Sequence, residues 1–209
     1  MKQKAQTEVI TIVLISGIVI GLVGVAYMWG MPLISKRTAV TDFLSAEDFA
    51  VKLNDKIVDI SNSGSGEATL TIPKGLIRVI NYDPADLRNP QKNSMVLEIV
   101  VSQPLILQNS VVLKTNVLGE NATYGEAEPR IINLSSQSYG PDYKLIFTIH
   151  FRELDTRNEP LKGYLIALQQ GTITGTSQVV LSYAGTEVKP GTAANGGDII
   201  LTKIKVDVI

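Results

Sequence analysis

Residues 1–37 read MKQKAQTEVITIVLISGIVIGLVGVAYMWGMPLISKR, and this stretch decides the fold. A short basic leader, Met1 to Ala5, runs into Gln6-Thr7-Glu8 and then into 26 residues, Val9 to Ile34, without a charge. A helix of that length reaches about 39 Å at 1.5 Å per residue, more than the roughly 20 residues that cross a bilayer core. A cleavable secretory signal has a shorter apolar region, about 7 to 15 residues, followed by its small-residue cut site. Here the small residue, Ala5, precedes the apolar run, so processing would leave the hydrophobic helix attached. Two fates fit: a membrane anchor, or the helical stem of a surface filament subunit.

Working outward, Ser35, Lys36 and Arg37 form a polar, basic boundary suited to a helix leaving a membrane interface. Lys2 and Lys4 on the other side balance them, so basic residues do not set an orientation. From Thr38 to Ile60 the apolar residues Val40, Phe43, Ala46, Phe49, Ala50, Leu53, Ile57 and Ile60 recur at steps of three and four, which is one face of a helix. Ser45 with Asp48 resembles a capping box, where a helix would break or restart. The spacing therefore predicts a helix from about Thr7 toward Ile60, bent near Gly30 and Pro32, because proline removes the hydrogen bond to residue 28. The run Ser61-Asn62-Ser63-Gly64-Ser65-Gly66 reads as the end of that helix and a linker.

Beyond the linker, residues 67–209 read as strand and turn. Strands are expected near 68–73, 76–82, 95–102, 111–117, 130–134, 143–152, 163–170, 178–184 and 199–208. Tyr143, Leu145, Phe147, Ile149 and Phe151 alternate with Lys144, Thr148, His150 and Arg152, the pattern of a half-buried strand, with Ile146 the exception. Ile200, Ile204, Val206 and Val208 share a second such face, so the C-terminal segment belongs in a sheet. Many short strands without intervening helices favour an antiparallel sandwich or barrel, giving an α+β chain: a long N-terminal helix and a β-rich domain. The turn-rich segments 83–93, 119–129 and 189–198 are the expected exposed loops.

The chemistry available is narrow. The chain has no cysteine, which removes disulfides, thiolate metal sites and a cysteine nucleophile. His150 is the single histidine, no G-x-S-x-G, H-E-x-x-H or phosphate-cradling loop accompanies it, and a partly exposed strand residue is the plain reading. No catalytic residue, cofactor or enzyme activity is expected. Asp83, Asp86 and Asn89, and Asp155, Asn158 and Glu159, offer oxygen ligands, but their spacing is not that of an EF-hand and turn chemistry explains them, so no metal site is expected. Lys plus Arg, 19, nearly balance Asp plus Glu, 20, and loss of Lys2 and Lys4 with a leader would take the net charge from −1 to −3. Nothing in that balance points to nucleic acid.

Three features of the sequence concern assembly and modification. Gly17, Gly21 and Gly24 line one face of the apolar helix, where small residues let helix backbones approach closely. Glu8 is a lone carboxylate at the start of the apolar run; in an anchor it is interfacial, and in an apolar filament core it needs a cationic partner such as the α-amine of a neighbour's Gln6. Asn121-Ala122-Thr123 and Asn133-Leu134-Ser135 are N-glycosylation patterns.

Residues 1–34 resemble an archaeal type IV pilin or archaellin. Met1 to Ala5 is similar to the short basic signal removed by prepilin peptidases, with the cut placed between Ala5 and Gln6, and the attached helix resembles the family's assembly element. The resemblance implies a homopolymer on the cell surface, its hydrophobic helices bundled at the centre and its β domains forming the outer wall. It also implies a membrane-inserted precursor, a prepilin peptidase, an assembly ATPase and a membrane platform protein. Bacterial type IV pilins place their glutamate at the fifth mature position, whereas Glu8 would be the third. A membrane-anchored minor pilin or archaellum accessory protein, holding a β-sandwich against the cell wall or surface layer, is the alternative the same residues allow.

Overall fold

The computed structural model describes residues 2–83, 85, 92–105, 111–114, 130–156 and 159–209, with the side chains of 2–10, 111–114, 130 and 131 outside that description. The expected elements in 86–91 and 115–129, including Asp86, Asn89 and Asn121, lie outside the described residues, as does Asn158.

One helix, α1 (Lys2–Ser63), runs unbroken for 62 residues, about 93 Å at 1.5 Å per residue. It continues through Pro32, whose missing N–H leaves the Met28 carbonyl without its usual partner. It also continues through Ser45 and Asp48, so the capping-box pattern there marks no restart. Asp48 instead pairs with Lys52 one turn on, at 2.7 Å. The expected linker is shorter than its composition suggests: Ser61 to Ser63 are helical, and the chain turns at Gly64, φ 63°, whose N–H returns to the Ile60 carbonyl at 3.1 Å. That left-handed position after a last helical turn suits glycine, which lacks the Cβ that would clash.

Ten strands follow: β1 (Glu67–Thr71), β2 (Leu76–Ile80), β3 (Ser94–Val101), β4 (Val111–Lys114), β5 (Arg130–Tyr139), β6 (Asp142–Phe151), β7 (Leu154–Asp155), β8 (Lys162–Ile173), β9 (Gln178–Lys189) and β10 (Asp198–Val208). They form two five-stranded sheets, ordered β1-β9-β10-β8-β7 and β2-β3-β6-β5-β4. The second is antiparallel throughout; the first is mixed, because β8 and β10 run parallel with β9 as a hairpin partner of β10. The 174–177 turn brings β9 back antiparallel to β8's direction, and β10 then inserts between them rather than at the edge. The fold class is the expected α+β layout with this parallel pair added.

The C-terminal half of α1 occupies the space between the sheets. Ala46, Phe49, Ala50, Leu53, Ile57 and Ile60 join Leu97, Leu134, Phe147 and Ile149 from one sheet and Leu168, Leu181, Ile204 and Val206 from the other in one buried cluster. The helical face is a seven-residue repeat, with Ala46, Leu53 and Ile60 in one row and Phe43, Ala50 and Ile57 in the next. Phe43 stacks on Phe147 with ring centroids 6.0 Å apart. Burial of each Leu or Ile side chain is worth about 1.5–3 kcal/mol, so this stripe is a main support of the β domain rather than an appendage to it.

The two sheets are stitched at one corner by asparagines. Asn93 sits at φ 59°, a conformation asparagine tolerates better than most residues, and is buried. Its Nδ2 donates to the carbonyls of Phe151, 3.1 Å, and Ile166, 2.7 Å, while its Oδ1 accepts from the N–H of Leu168, 2.8 Å. The Asn81 Oδ1 accepts from Gln170 N–H at 2.5 Å, and Tyr82 N–H donates to the Leu168 carbonyl at 3.0 Å. These bonds join β2, β3 and β6 of one sheet to β8 of the other, closing one side of a barrel-like shell around α1.

Candidate functional site

The apolar half of α1 stands clear of everything else described. Sixteen large apolar side chains from Ile12 to Ile34 are exposed, among them Ile20 at 72% and Trp29 at 83%, whereas Ile57 on the same helix is fully buried. An 18-residue window of α1 reaches a mean hydropathy of 2.3 with none of it buried within the chain, and the helix is long and apolar enough to cross a membrane. An uncovered apolar surface of this size marks a site of association, with lipid or with protein, because a folded monomer rarely exposes more than a few hundred Å² of contiguous apolar surface.

Gly17, Gly21 and Gly24 lie on this surface, one face of the helix, and a Cβ added at any of them would meet nothing within 4 Å. Each glycine in a helix interior costs about 1 kcal/mol relative to alanine. Among the described residues no close contact offsets that cost. Ala5, Gln6 and Glu8 fall in the first turns of α1, and their side chains are outside the described residues. The helix runs continuously from Lys2 across the Ala5–Gln6 junction.

Where α1 enters the β domain, a small collar surrounds it. Lys74, between β1 and β2, reaches Asp42 at 2.5 Å, and a cavity of about 290 Å³ beside that pair is lined by Thr38, Ala39, Val100, Ser102 and Asp142. The pair ties the helix to the segment between β1 and β2 where the exposed half leaves the domain. Lys36 and Arg37, just outside, are exposed.

The remaining sequence-derived residues sit elsewhere. Asn133 lies in β5, opposite Val112 of β4 and Thr148 of β6, with its side chain half-buried. His150 departs from the expectation of a partly exposed strand residue: it is buried, 8% exposed, near the corner where Asn93 joins the sheets. Burial holds its imidazole below the usual range, assisted by the charge of Arg152, while hydrogen bonding to the backbone at Lys92 and Asn93 opposes the shift, and among the described residues Nδ1 has no partner. The alternation of β6 did place His150 opposite the Leu145–Phe151 face, as observed. What alternation could not reveal is that the 92–94 corner covers that second face. Asp83 pairs with Lys92 at 2.5 Å and accepts from Ala85 N–H at 2.9 Å, and those bonds hold its carboxyl below the ordinary range. Among the described residues no three His, Asp or Glu side chains converge as metal ligands do.

On the outer face of the second sheet, Glu98 accepts from Lys144 at 3.0 Å and pairs with Arg78, and these cations, Lys144 first, hold it low against the opposing effect of burial. This is a structural cross-strand triad of β2, β3 and β6. Tyr82 shows the opposite shift: burial raises its phenol, and Glu187, Glu153 and Asp83 add to it.

In comparisons with known proteins, no family model, no curated protein and no solved structure matches this chain. The functional reading therefore rests on its own geometry.

Proposed function

We propose that the protein is a structural subunit of an archaeal type IV pilus-like surface filament, polymerising through its N-terminal helix. The observation that carries this reading is the division of α1 into a half buried in its own β domain and a half whose apolar residues have no partner in the chain. The physical logic is that the surface from Val9 to Ile34 is first solvated by lipid in a precursor and then buried against the same helix of sister subunits. The glycine stripe at 17, 21 and 24 gives those helices room to approach, and in that packing its cost within the single helix is offset. A membrane-inserted precursor, processing between Ala5 and Gln6 by a prepilin peptidase, and assembly by an ATPase with a membrane platform belong to this reading. So do display of the β domain on the outer wall and glycosylation at the Asn121 and Asn133 patterns.

Replacing Gly17, Gly21 and Gly24 together with Leu tests the packing: filaments should be lost while the β domain keeps its melting temperature. Normal filaments from that variant would contradict it. N-terminal sequencing of protein taken from the native cell surface tests the processing, with Gln6 as the expected first residue and a retained Met1 as the contrary result.

The length and hydropathy of the exposed half favour one second reading, a permanent anchor. The protein would then be a minor pilin or accessory protein holding its β domain against the wall or surface layer. It would behave as detergent-dependent particles and form no fibres.

A further inference from the structure

The sheet β1-β9-β10-β8-β7 is longer than the helix that covers it. Its inner face is filled by α1 as far as the row of Ile204 and Leu168, both fully buried. Two further cross-strand rows lie beyond. In one, Thr202 stands between Thr186 of β9 and Ile166 of β8; in the next, Ile200 stands between Val188 and Tyr164. These residues reach the same face because β9 gains a residue at Ala184, where the register with β10 shifts between Lys203 and Ile204. Helix α1 stops at Ser63, and its last turns, Val58, Ser61 and Asn62, wall one side of these more open rows, where Ile166 is still buried but Tyr164, Thr186 and Val188 are exposed, with Leu154 of β7 on another. The result is a cavity of about 490 Å³, within the roughly 300–1,000 Å³ of small-molecule sites.

Its chemistry is selective. Val58, Leu154, Ile166 and Ile200 supply apolar surface, and Ser61, Asn62, Tyr164, Thr186 and Thr202 supply hydrogen-bonding groups; none of the lining side chains carries a charge. Of the charged residues on the same strands, Glu187, Lys189 and Lys203 alternate onto the opposite face, where Glu187 and Lys203 pair at 2.7 Å, while Asp198 and Lys162, opposite each other in register, lie on the cavity's own face one row beyond Ile200 and Tyr164. Thr186 is oriented by the Tyr183 hydroxyl at 2.7 Å. Among the described residues the side chains of Ser61, Asn62, Tyr164 and Thr202 make no hydrogen bond to protein, which leaves these lining groups able to bond to solvent or a ligand. Tyr164 is 44% exposed and offers a ring as well as a hydroxyl.

The geometry points to a binding site for a neutral saccharide in this cavity. A sugar ring pairs an apolar C–H face with a rim of uncharged hydroxyls, which is the complement of an aromatic and aliphatic floor edged by Thr, Ser, Asn and Tyr. An ionic ligand would find no opposite charge among the lining side chains, and a purely apolar one would make no use of the hydroxyls of Ser61, Tyr164, Thr186 and Thr202 or the amide of Asn62. The site lies at the far end of α1, 24 residues and about 36 Å beyond Ile34, so it stays at the outer end of the molecule whether the exposed half ends in lipid or among sister helices. The site is therefore independent of the filament reading.

The test is saturation-transfer NMR on the full chain in a detergent without a sugar head group, such as lauryldimethylamine oxide, against glucose, galactose, mannose, N-acetylglucosamine, maltose and glucuronate. At least one neutral sugar should receive saturation at millimolar concentration, and Thr202→Val should weaken that binding by about tenfold, the equivalent of one lost hydrogen bond. Tyr164→Ala should abolish it. In case a variant fails to fold, methyl spectra of the unaltered protein give a second readout: Ile200 and Ile166 should shift on titration while Ile132, in the other sheet, stays still. No transfer to any neutral sugar, a preference for glucuronate, binding indifferent to both substitutions, or shifts that spare Ile200 would each overturn the assignment.

Discussion

The two halves of α1 share one backbone and opposite surroundings. From Ala39 to Ile60 the apolar residues form a stripe and the intervening Asp48, Lys52, Asp55, Lys56 and Asp59 face water; from Thr11 to Ile34 the apolar residues go all the way round. A striped helix has one partner, and here both sheets of its own domain supply it. A helix apolar on every side needs apolar surroundings on every side, and nothing else described in this chain provides them. The difference teaches that the first half is built for a medium, lipid or a bundle of like helices, and the second for a fixed socket.

The comparison is broken most severely by equal substitutions in the two halves. Leu53→Ala should lower the stability of the β domain by about 2–5 kcal/mol, because it opens a cavity between the sheets. Ile20→Ala, on the exposed half, should change it by less than about 0.5 kcal/mol. Thermal melts of both variants in the same detergent check the pair, and equal losses would contradict the division. Next in size, Asn93→Ala leaves the backbone groups of Phe151, Ile166 and Leu168 short of a partner, and should cost about 1–3 kcal/mol or more by the same measurement. A neutral result would remove the asparagine corner as the closure of the shell.

A smaller, pH-dependent loss belongs to the β domain alone. His150 is held low by burial, so the unfolded chain binds its proton more readily, and stability should fall as pH drops through about 6.5 toward the lower native value. Glu98, held low chiefly by Lys144, adds a second decline at more acid pH: its contribution is present above the unfolded carboxylate range near about 4.3 and is lost as pH falls through the native value. His150→Gln should flatten the first step and leave the second. The smallest effect is expected at the collar, where Asp42→Asn removes an exposed pair with Lys74 worth less than about 1 kcal/mol. The same thermal melts check it.

The sequence was most legible where a period repeats over many turns or many residues. Steps of three and four from Phe43 to Ile60 announced the striped helix, although Val40, expected on that stripe, is exposed and Ala39 is buried instead, and alternation in β6 and β10 announced the faces that are buried. Ile199 and Leu201 were not legible, since they are buried on the other face of β10 beneath Tyr82 and Ala193, a contact between segments far apart in sequence. The same holds for His150 and Asn93, whose roles depend on a corner made by three strands. The parallel pairing of β8 with β10 was hidden because it is set by where the last strand inserts, and β7, two residues long, carries no period at all. The cavity at the end of α1 left no local signal either: it exists because the helix ends before the sheet it covers does.

The central claim is that residues 9–34 end among copies of themselves. Electron microscopy of the protein purified from the cell surface without detergent tests it most directly. The account predicts fibres with a core of packed helices and a wall of β domains. Detergent-dependent particles, with no fibres under any condition that keeps the β domain folded, would contradict it.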